Sequence, residues 1–326
     1  MTHHGNAATQ CGQSVDEADR LARIALTWLA EPGNRTIWSL VQQVGAPAAL
    51  DQLLAGDIDD TSLRTTIAAR TRAGDARRIA EIAVRRADRS AIRLITPSDS
   101  EWPAGIDDLA TLEVTTPGRI NYDTRPPLCL WARGDRPLKP ALTNAVAIVG
   151  ARAATSYGVH LSTQLASGLA ERGWTVTSGG AYGADTAAHR GALATAAGIT
   201  VAVLACGLDR PYPAGNAALF DLIADRGLLV SEWLPGAEPL RHRFLIRNRL
   251  VAALTAGTVM VESALRSGAS HMLGRALALK RPAMVVPGPV TSALSAGCHD
   301  MLRRNPAARL VTSVADVLEE LGQSTS

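Results

Sequence analysis

The chain has 326 residues, 47% of them hydrophobic and 4% aromatic, with 33 lysines and arginines against 30 carboxylates, for a net charge of +3. The length suggests two domains, and their cores must be aliphatic rather than aromatic. Cys11, Cys129, Cys206 and Cys298 lie too far apart for a disulfide-dense secreted scaffold, and nothing at the start resembles a signal peptide or a bilayer span, so a reduced, cytoplasmic protein is expected.

Residues 1–14 are small and polar and are expected to form a disordered tail, with His3 and His4 part of it rather than of a metal site. From Asp16 the pattern is helical: Leu21, Ile24, Ala25, Trp28 and Leu29 share a face, and Glu31-Pro-Gly-Asn ends the run. Asn34 caps a helix over 35–44, Gly45-Ala-Pro breaks it, a short helix covers 48–54, and a long basic helix covers 62–87. Residues 15–88 therefore read as a small all-α module. Its Val44-Gly45-Ala46-Pro47 turn has a weak likeness to sterile-alpha-motif or helix-hairpin-helix modules, and a plain bundle packed on the main domain is the other reading.

The character changes near Ser90. Strands are expected over 91–95 and 127–131, and then short apolar runs alternate with helical segments: 145–149, 175–178, 200–205, 228–231, 258–261 and 283–286. This alternation predicts an α/β fold, a doubly wound parallel sheet preceded by the small all-α module. Ligands of such sheets bind outside the carboxyl ends of the strands. The turns expected there are Gly150-Ala151-Arg152, Ser178-Gly179-Gly180, Cys206-Gly207, Ser231-Glu232, Glu262-Ser263 and Pro287-Gly288.

Gly150 and Arg152, followed by a helix capped by Thr155 or Ser156, fit an anion site as well as an ordinary strand-to-helix turn. Ser178 to Asp185 is a glycine-rich loop with Gly183 in it, but its spacing is not the dinucleotide fingerprint, so no nicotinamide or flavin cofactor is expected. Asp185 and His189 share a helix face, either as an acid/base pair or as an N-cap beside a hydrogen-bonded histidine. Arg241-His-Arg243-Phe244-Leu-Ile-Arg247-Asn248-Arg249 is the densest basic patch, with Phe244 offering a face to a base. Glu262 is either catalytic or a holder of Arg247 or Arg249. No nucleophile elbow and no metal-ligand cluster is visible, and neither a metal nor a cofactor is expected.

These motifs in this order resemble the DNA processing protein A family (DprA, also called Smf) over residues 92–310. Those that carry the likeness include 126–134, Val146 to Arg152 with Tyr157-Gly158, Ser178 to Asp185, Val203 to Asp209 with Tyr212-Pro213, Phe244 with Arg247-Asn248-Arg249, Val261-Glu262 with Ser267-Gly268, and Val286-Pro-Gly288. The resemblance implies an extended Rossmann domain over 91–326 that binds single-stranded DNA without sequence preference and forms a homodimer. It also implies a role in natural transformation, protecting incoming strands and loading the RecA recombinase. The contacts it implies fall on Gly150, Ala151, Arg152, Ser178, Gly179, Gly180, Gly183, Arg243, Phe244, Arg247, Asn248, Arg249, Ser267 and Gly268. Ala151 and Ala184 depart from the usual serine and isoleucine, as does Ala269-Ser-His-Met after Gly268, and no C-terminal winged helix is expected. The alternative is a nucleotide-processing enzyme of the LOG, lysine-decarboxylase-like group. Its Pro-Gly-Gly-x-Gly-Thr loop is missing here, since Glu-Ser-Ala-Leu-Arg-Ser-Gly follows Val261.

Overall fold

The computed structural model describes residues 5–112 and 124–322. The helical module comes first, as α1 (Gly5–Leu29), α2 (Arg35–Val44), α3 (Ala46–Ala55), α4 (Thr61–Ala73) and α5 (Ala76–Arg89). Helix α1 begins inside the expected tail, where no proline interrupts a run with Ala7, Ala8, Gln10 and Gln13 among its residues. Residues 1–4, with His3 and His4, lie outside the described residues. The expected single basic helix is in fact two. Gly74 ends α4, and the Asp75 carboxylate starts α5 by accepting bonds from the Arg77 and Arg78 amides at 2.9 and 3.3 Å.

The sheet domain follows as β1 (Ile92–Ile95), β2 (Leu130–Arg133), α6 (Leu138–Ala141), β3 (Ala145–Val149), α7 (Ser156–Ala170), β4 (Thr175–Ser178), α8 (Ala184–Leu193) and β5 (Thr200–Leu204). It continues through α9 (Ala217–Arg226), β6 (Leu228–Ser231), α10 (Arg243–Ala253), β7 (Gly257–Met260), α11 (Gly268–Ala278), β8 (Ala283–Val285), α12 (Ala296–Arg304), β9 (Ala308–Leu310) and α13 (Val314–Glu320). The nine strands form one sheet in the order β1-β2-β6-β5-β4-β3-β7-β8-β9. The six expected parallel strands are all there. Strand β9 extends them in parallel, while β1 and β2 close the other edge antiparallel, with Trp131 opposite Ser231.

Side-chain alternation builds two layers on this Rossmann-like sheet. From β3, Val146 and Ile148 meet Leu165, Ala166 and Leu169 of α7, and Ala147 and Val149 point to the other face, with Leu250 of α10 and Leu273 of α11. Beyond β4, the first face is covered by the helical module. Ile24, Leu29 and Leu50 share one buried cluster with Leu204, Leu229 and Phe220. The chain leaves β6 on one side of β3 and returns as β7 on the other, with β3 and β7 adjacent. The crossover helix α10 starts at Arg243 rather than near Ile246, which puts most of the basic patch inside a helix.

Phe220 is fully buried in the cluster that holds α1 and α9 to the sheet. Phe220→Ala is expected to cost about 3–5 kcal/mol. Urea unfolding followed by far-ultraviolet dichroism is expected to stay a single transition, and a separate early loss of helical signal would show that the module does not depend on the sheet.

Candidate nucleic-acid interface

Two loops meet at the carboxyl edge of the sheet. The turn after β3 and the glycine-rich loop after β4 pack backbone to backbone: the Ala184 amide donates to the Ala151 carbonyl at 3.2 Å. Gly183, at φ +76°, leaves no room for a Cβ against the carbonyls of Ala151 and Arg152. Gly150 is equally confined, since a Cβ there would lie 2.6 Å from that of Ala184.

The helix start expected to take an anion is already filled by one. The carboxylate of Glu262, at the end of β7, accepts from the Thr155 amide at 2.9 Å and from the Thr155 hydroxyl at 2.7 Å, and it packs against Gly158 where any side chain would collide. Thr155 in turn caps α7. Glu262 is therefore neither a holder of Arg247 nor of Arg249; it neutralises the positive end of α7. The glycine-rich loop is likewise committed internally. Asp185 accepts from the Ala181 amide at 3.2 Å, and Gly179 and Gly180 are confined by the Arg247 guanidinium and the Phe220 ring. The Ser178 hydroxyl donates to the Ile148 carbonyl at 2.7 Å.

The basic patch of α10 points mostly inward, against the expectation that its arginines face a ligand. Arg247 is 4% exposed and donates to the Gly179 carbonyl at 2.7 Å and to the Val203 carbonyl. Burial pulls its pKa down, Asp185 opposes that and Arg152 adds to it, leaving it at about 10, still charged at neutral pH. Arg249 is wholly buried and forms a two-pronged pair with Glu232, both oxygens at 2.6 Å, while also donating to the Arg125 carbonyl. Arg243 grips Glu31 at 2.8 to 3.1 Å. Asn248 donates to the Gly268 carbonyl at 3.2 Å, and the Ser267 hydroxyl caps α11. Of the contacts implied by resemblance, Arg247 and Arg249 are thus found buried as internal struts, bonded to carbonyls and a carboxylate inside the fold rather than standing at the surface. Asp185 and His189 are buried too. The imidazole shares a 2.7 Å bond with the Thr200 hydroxyl, and burial, helped by Arg247, pushes its pKa down to about 3. Burial pushes the Asp185 carboxyl up against the pull of Arg247.

The struts hold an exposed cluster in place. The Arg152 guanidinium lies over the Phe244 ring, 5.0 Å from its centroid, and Tyr212 meets the same ring edge-on at 5.7 Å. Tyr212 and Tyr182 are 42% and 48% exposed. Arg152, Arg210, Arg241 and Arg266 are exposed on loops at this edge, and none of them pairs with a carboxylate among the described residues. Sequence reasoning placed Phe244 and Arg152 here but gave Tyr212 and Tyr182 no role. The available signal was an aromatic residue in each of two polar loops that follow parallel strands.

The helical module reaches this cluster through Glu31. Its carboxylate also accepts from the Trp233 indole at 2.9 Å and lies 3.2 Å from the His242 ring. Burial alone would raise the Glu31 pKa, but the bonds from Arg243, Trp233 and His242 together outweigh it and hold the carboxyl below its ordinary range. Phe244 follows Arg243 directly, so the Glu31 grip fixes the start of α10 beside the half-buried ring.

The profile of the family described as DNA recombination-mediator protein A matches residues 93–322. A Mycobacterium tuberculosis relative is 47% identical over 300 residues, covering 91% of this chain and 74% of its own length. The DNA processing protein DprA of Streptococcus pneumoniae is 41% identical over 175 residues, 54% of this chain and 61% of that one. Its X-ray structure superimposes with a TM-score of 0.72 at 28% identity, over 91% of this chain and 95% of that one. DNA processing protein A of Helicobacter pylori, solved for its single-stranded DNA binding mode, superimposes at 0.58 with 28% identity, over 71% and 97% of the two chains.

Removing one partner of the buried Arg249–Glu232 pair leaves the other charge stranded, so Glu232→Ala is expected to destabilise by about 3–5 kcal/mol in a chemical melt. Glu31 contributes with a defined pH dependence. A carboxyl with a depressed folded pKa stabilises fully above its unfolded value, near the ordinary 4.5, and that contribution is lost as pH falls through the lower folded value. The stability gap between native protein and Glu31→Gln is therefore expected to be constant above about pH 5 and to shrink in more acidic buffer. A gap that widens on acidification would contradict this.

Proposed function

Because the chain belongs to the DNA recombination-mediator protein A family, we propose that the exposed cluster of Arg152, Phe244 and Tyr212 binds single-stranded DNA without sequence preference and without catalysis. The observation that carries this is the Arg152 guanidinium lying over the Phe244 ring at a solvent-exposed sheet edge, with Tyr212 set against the same ring. A ring face accepts any base, and stacking on it is worth about 1–3 kcal/mol per base. The unpaired guanidiniums of Arg152, Arg210, Arg241 and Arg266 supply the backbone term, which is indifferent to sequence. The binding mode described for the Helicobacter pylori relative supports the same ligand.

The groups that would have to perform catalysis are already engaged inside the fold. Glu262 is spent on Thr155, Asp185 on the glycine-rich loop, and His189 is buried and bonded to Thr200. None of them meets solvent in a cleft where a substrate could reach it. Cys129, Cys206 and Cys298 are free and buried, which supports a cytoplasmic setting with reduced thiols. No described helix is long and apolar enough to cross a membrane. The family description as a recombination mediator supports the fuller reading: a homodimer that shields incoming strands in natural transformation and passes them to the RecA recombinase. RecA filament growth on a bound strand, measured with and without this protein, tests that step.

Fluorescence anisotropy with single- and double-stranded oligonucleotides of several sequences at graded salt tests the binding itself. With four unpaired arginines each neutralising one phosphate, log K for a strand short enough to stay at the sheet edge, about 6 nucleotides, is expected to fall with log salt at a slope of about −2.8. Arg152→Ala is expected to reduce the slope by about 0.7 and to weaken all sequences alike, whereas Phe244→Ala is expected to cost about 1–3 kcal/mol of affinity with the slope unchanged. Affinity insensitive to salt, preference for duplex, or release of free adenine from AMP would overturn the proposal.

A further inference from the structure

The positive charge of this protein is not spread over it. From Thr61 to Arg89, helices α4 and α5 carry eight arginines (Arg64, Arg70, Arg72, Arg77, Arg78, Arg85, Arg86, Arg89) against three carboxylates (Asp75, Glu81, Asp88). That net +5 exceeds the +3 of the whole chain, so the rest of the protein is at −2. An arginine-rich composition acting uniformly would not concentrate the excess on one pair of helices. Nor is the charge buried: the face of α5 that packs inward is Ala76, Ala80, Ala83 and Ala87.

Arg78, Arg85 and Arg89 stand at positions i, i+7 and i+11, so they project from one face of α5 over a length of about 16 Å, with the half-exposed Ile82 among them. Arg85 has only a loose contact with Glu81 at 3.8 Å, and Arg78 and Arg89 pair with no carboxylate among the described residues. The stripe is not isolated from the sheet-edge cluster. It borders a groove of about 330 Å³ whose lining includes Ile82 and Arg86 on the module side and Trp233, Leu240 and Arg243 on the side that leads to Phe244. Arg86 spans the gap, with Nε 3.1 Å from Asp209, the neighbour of the exposed Arg210.

We infer that the outer face of α5 is a second contact for the same nucleic-acid strand, so that Arg78, Arg85 and Arg89 hold the phosphates of a segment that runs on from Phe244 across the groove. This rests on the single-stranded DNA reading above and extends it: the helical module is part of the binding surface as well as a support for it. A strand too short to leave the sheet edge gains nothing from α5. A longer one does.

The test compares oligothymidylates of about 6 and about 25 nucleotides, by anisotropy over graded salt, on the full chain. The combined variant Arg78→Gln, Arg85→Gln, Arg89→Gln is expected to lower the salt slope for the long strand by about 2 and to leave the short strand unchanged. Each single replacement is expected to take about 0.7 from the long-strand slope, which keeps the test decisive if the combined variant does not fold. The corresponding lysine variants, which keep the charges, are expected to retain the native slope. Equal effects on both lengths, or none on either, would overturn the inference. Arg152→Ala separates the two ideas, because it is expected to weaken both lengths. If it affects neither, the sheet-edge reading fails, whatever α5 does.

Discussion

A buried guanidinium takes its partners from inside the protein, and Arg247 brings that condition to the carboxyl edge of the sheet. Its bonds to the carbonyls of Gly179 and Val203 tie the ends of β4 and β5 to the crossover helix α10. The glycine-rich loop has to be glycine at 179 because the guanidinium lies where a side chain would start. Arg249 with Glu232 and Arg243 with Glu31 do the same for the far end of β6 and for the helical module. Three arginines from one helix thus bind the loops of several strands together, and the half-buried ring of Phe244 is carried on the frame they make.

A fixed carboxylate also shapes this edge. The start of α7, beside the point where β3 and β7 part, is the usual place for a nucleotide phosphate in such sheets, and here the Glu262 carboxylate occupies it. A like charge in that position repels an anion and leaves the amide it bonds unavailable. What is left for a ligand is shallow and exposed: rings and guanidiniums rather than a deep cradle of amides. A flexible polyanion fits such a surface better than a small nucleotide, because it gathers many weak contacts along its length.

The helical module does more than add apolar area. Glu31 sits in the turn between α1 and α2, yet its carboxylate collects bonds from Trp233, His242 and Arg243, about 200 residues further along the chain. These bonds tie the turn after α1 to the start of α10. The groove between the module and the sheet domain is lined by the same Arg243 and Trp233, and by Glu31 itself.

The parallel strands were legible in the sequence. The runs at 145–149, 175–178 and 228–231 are continuous and apolar or β-branched between turn residues, and the structure returns the same bounds. Arg152 and Phe244 could be noticed in the sequence, since a cation in a strand-to-helix turn and an aromatic in a basic run need no distant partner to stand out. The edge strands were harder to place: β9 has three residues, and nothing local says that β2 pairs with β6. The fate of the basic patch was not legible at all. Arg247 and Arg249 read as ligand-facing because their neighbours in sequence include no carboxylate, and their partners lie elsewhere along the chain, Arg249 on Glu232 and Arg247 on Gly179. Composition and periodicity thus determined the α/β class and the order of the parallel strands and their turns. Only the tertiary structure decided which guanidiniums face water, because charge pairing inside a fold depends on what the folded chain brings within 3 Å, which no local pattern records.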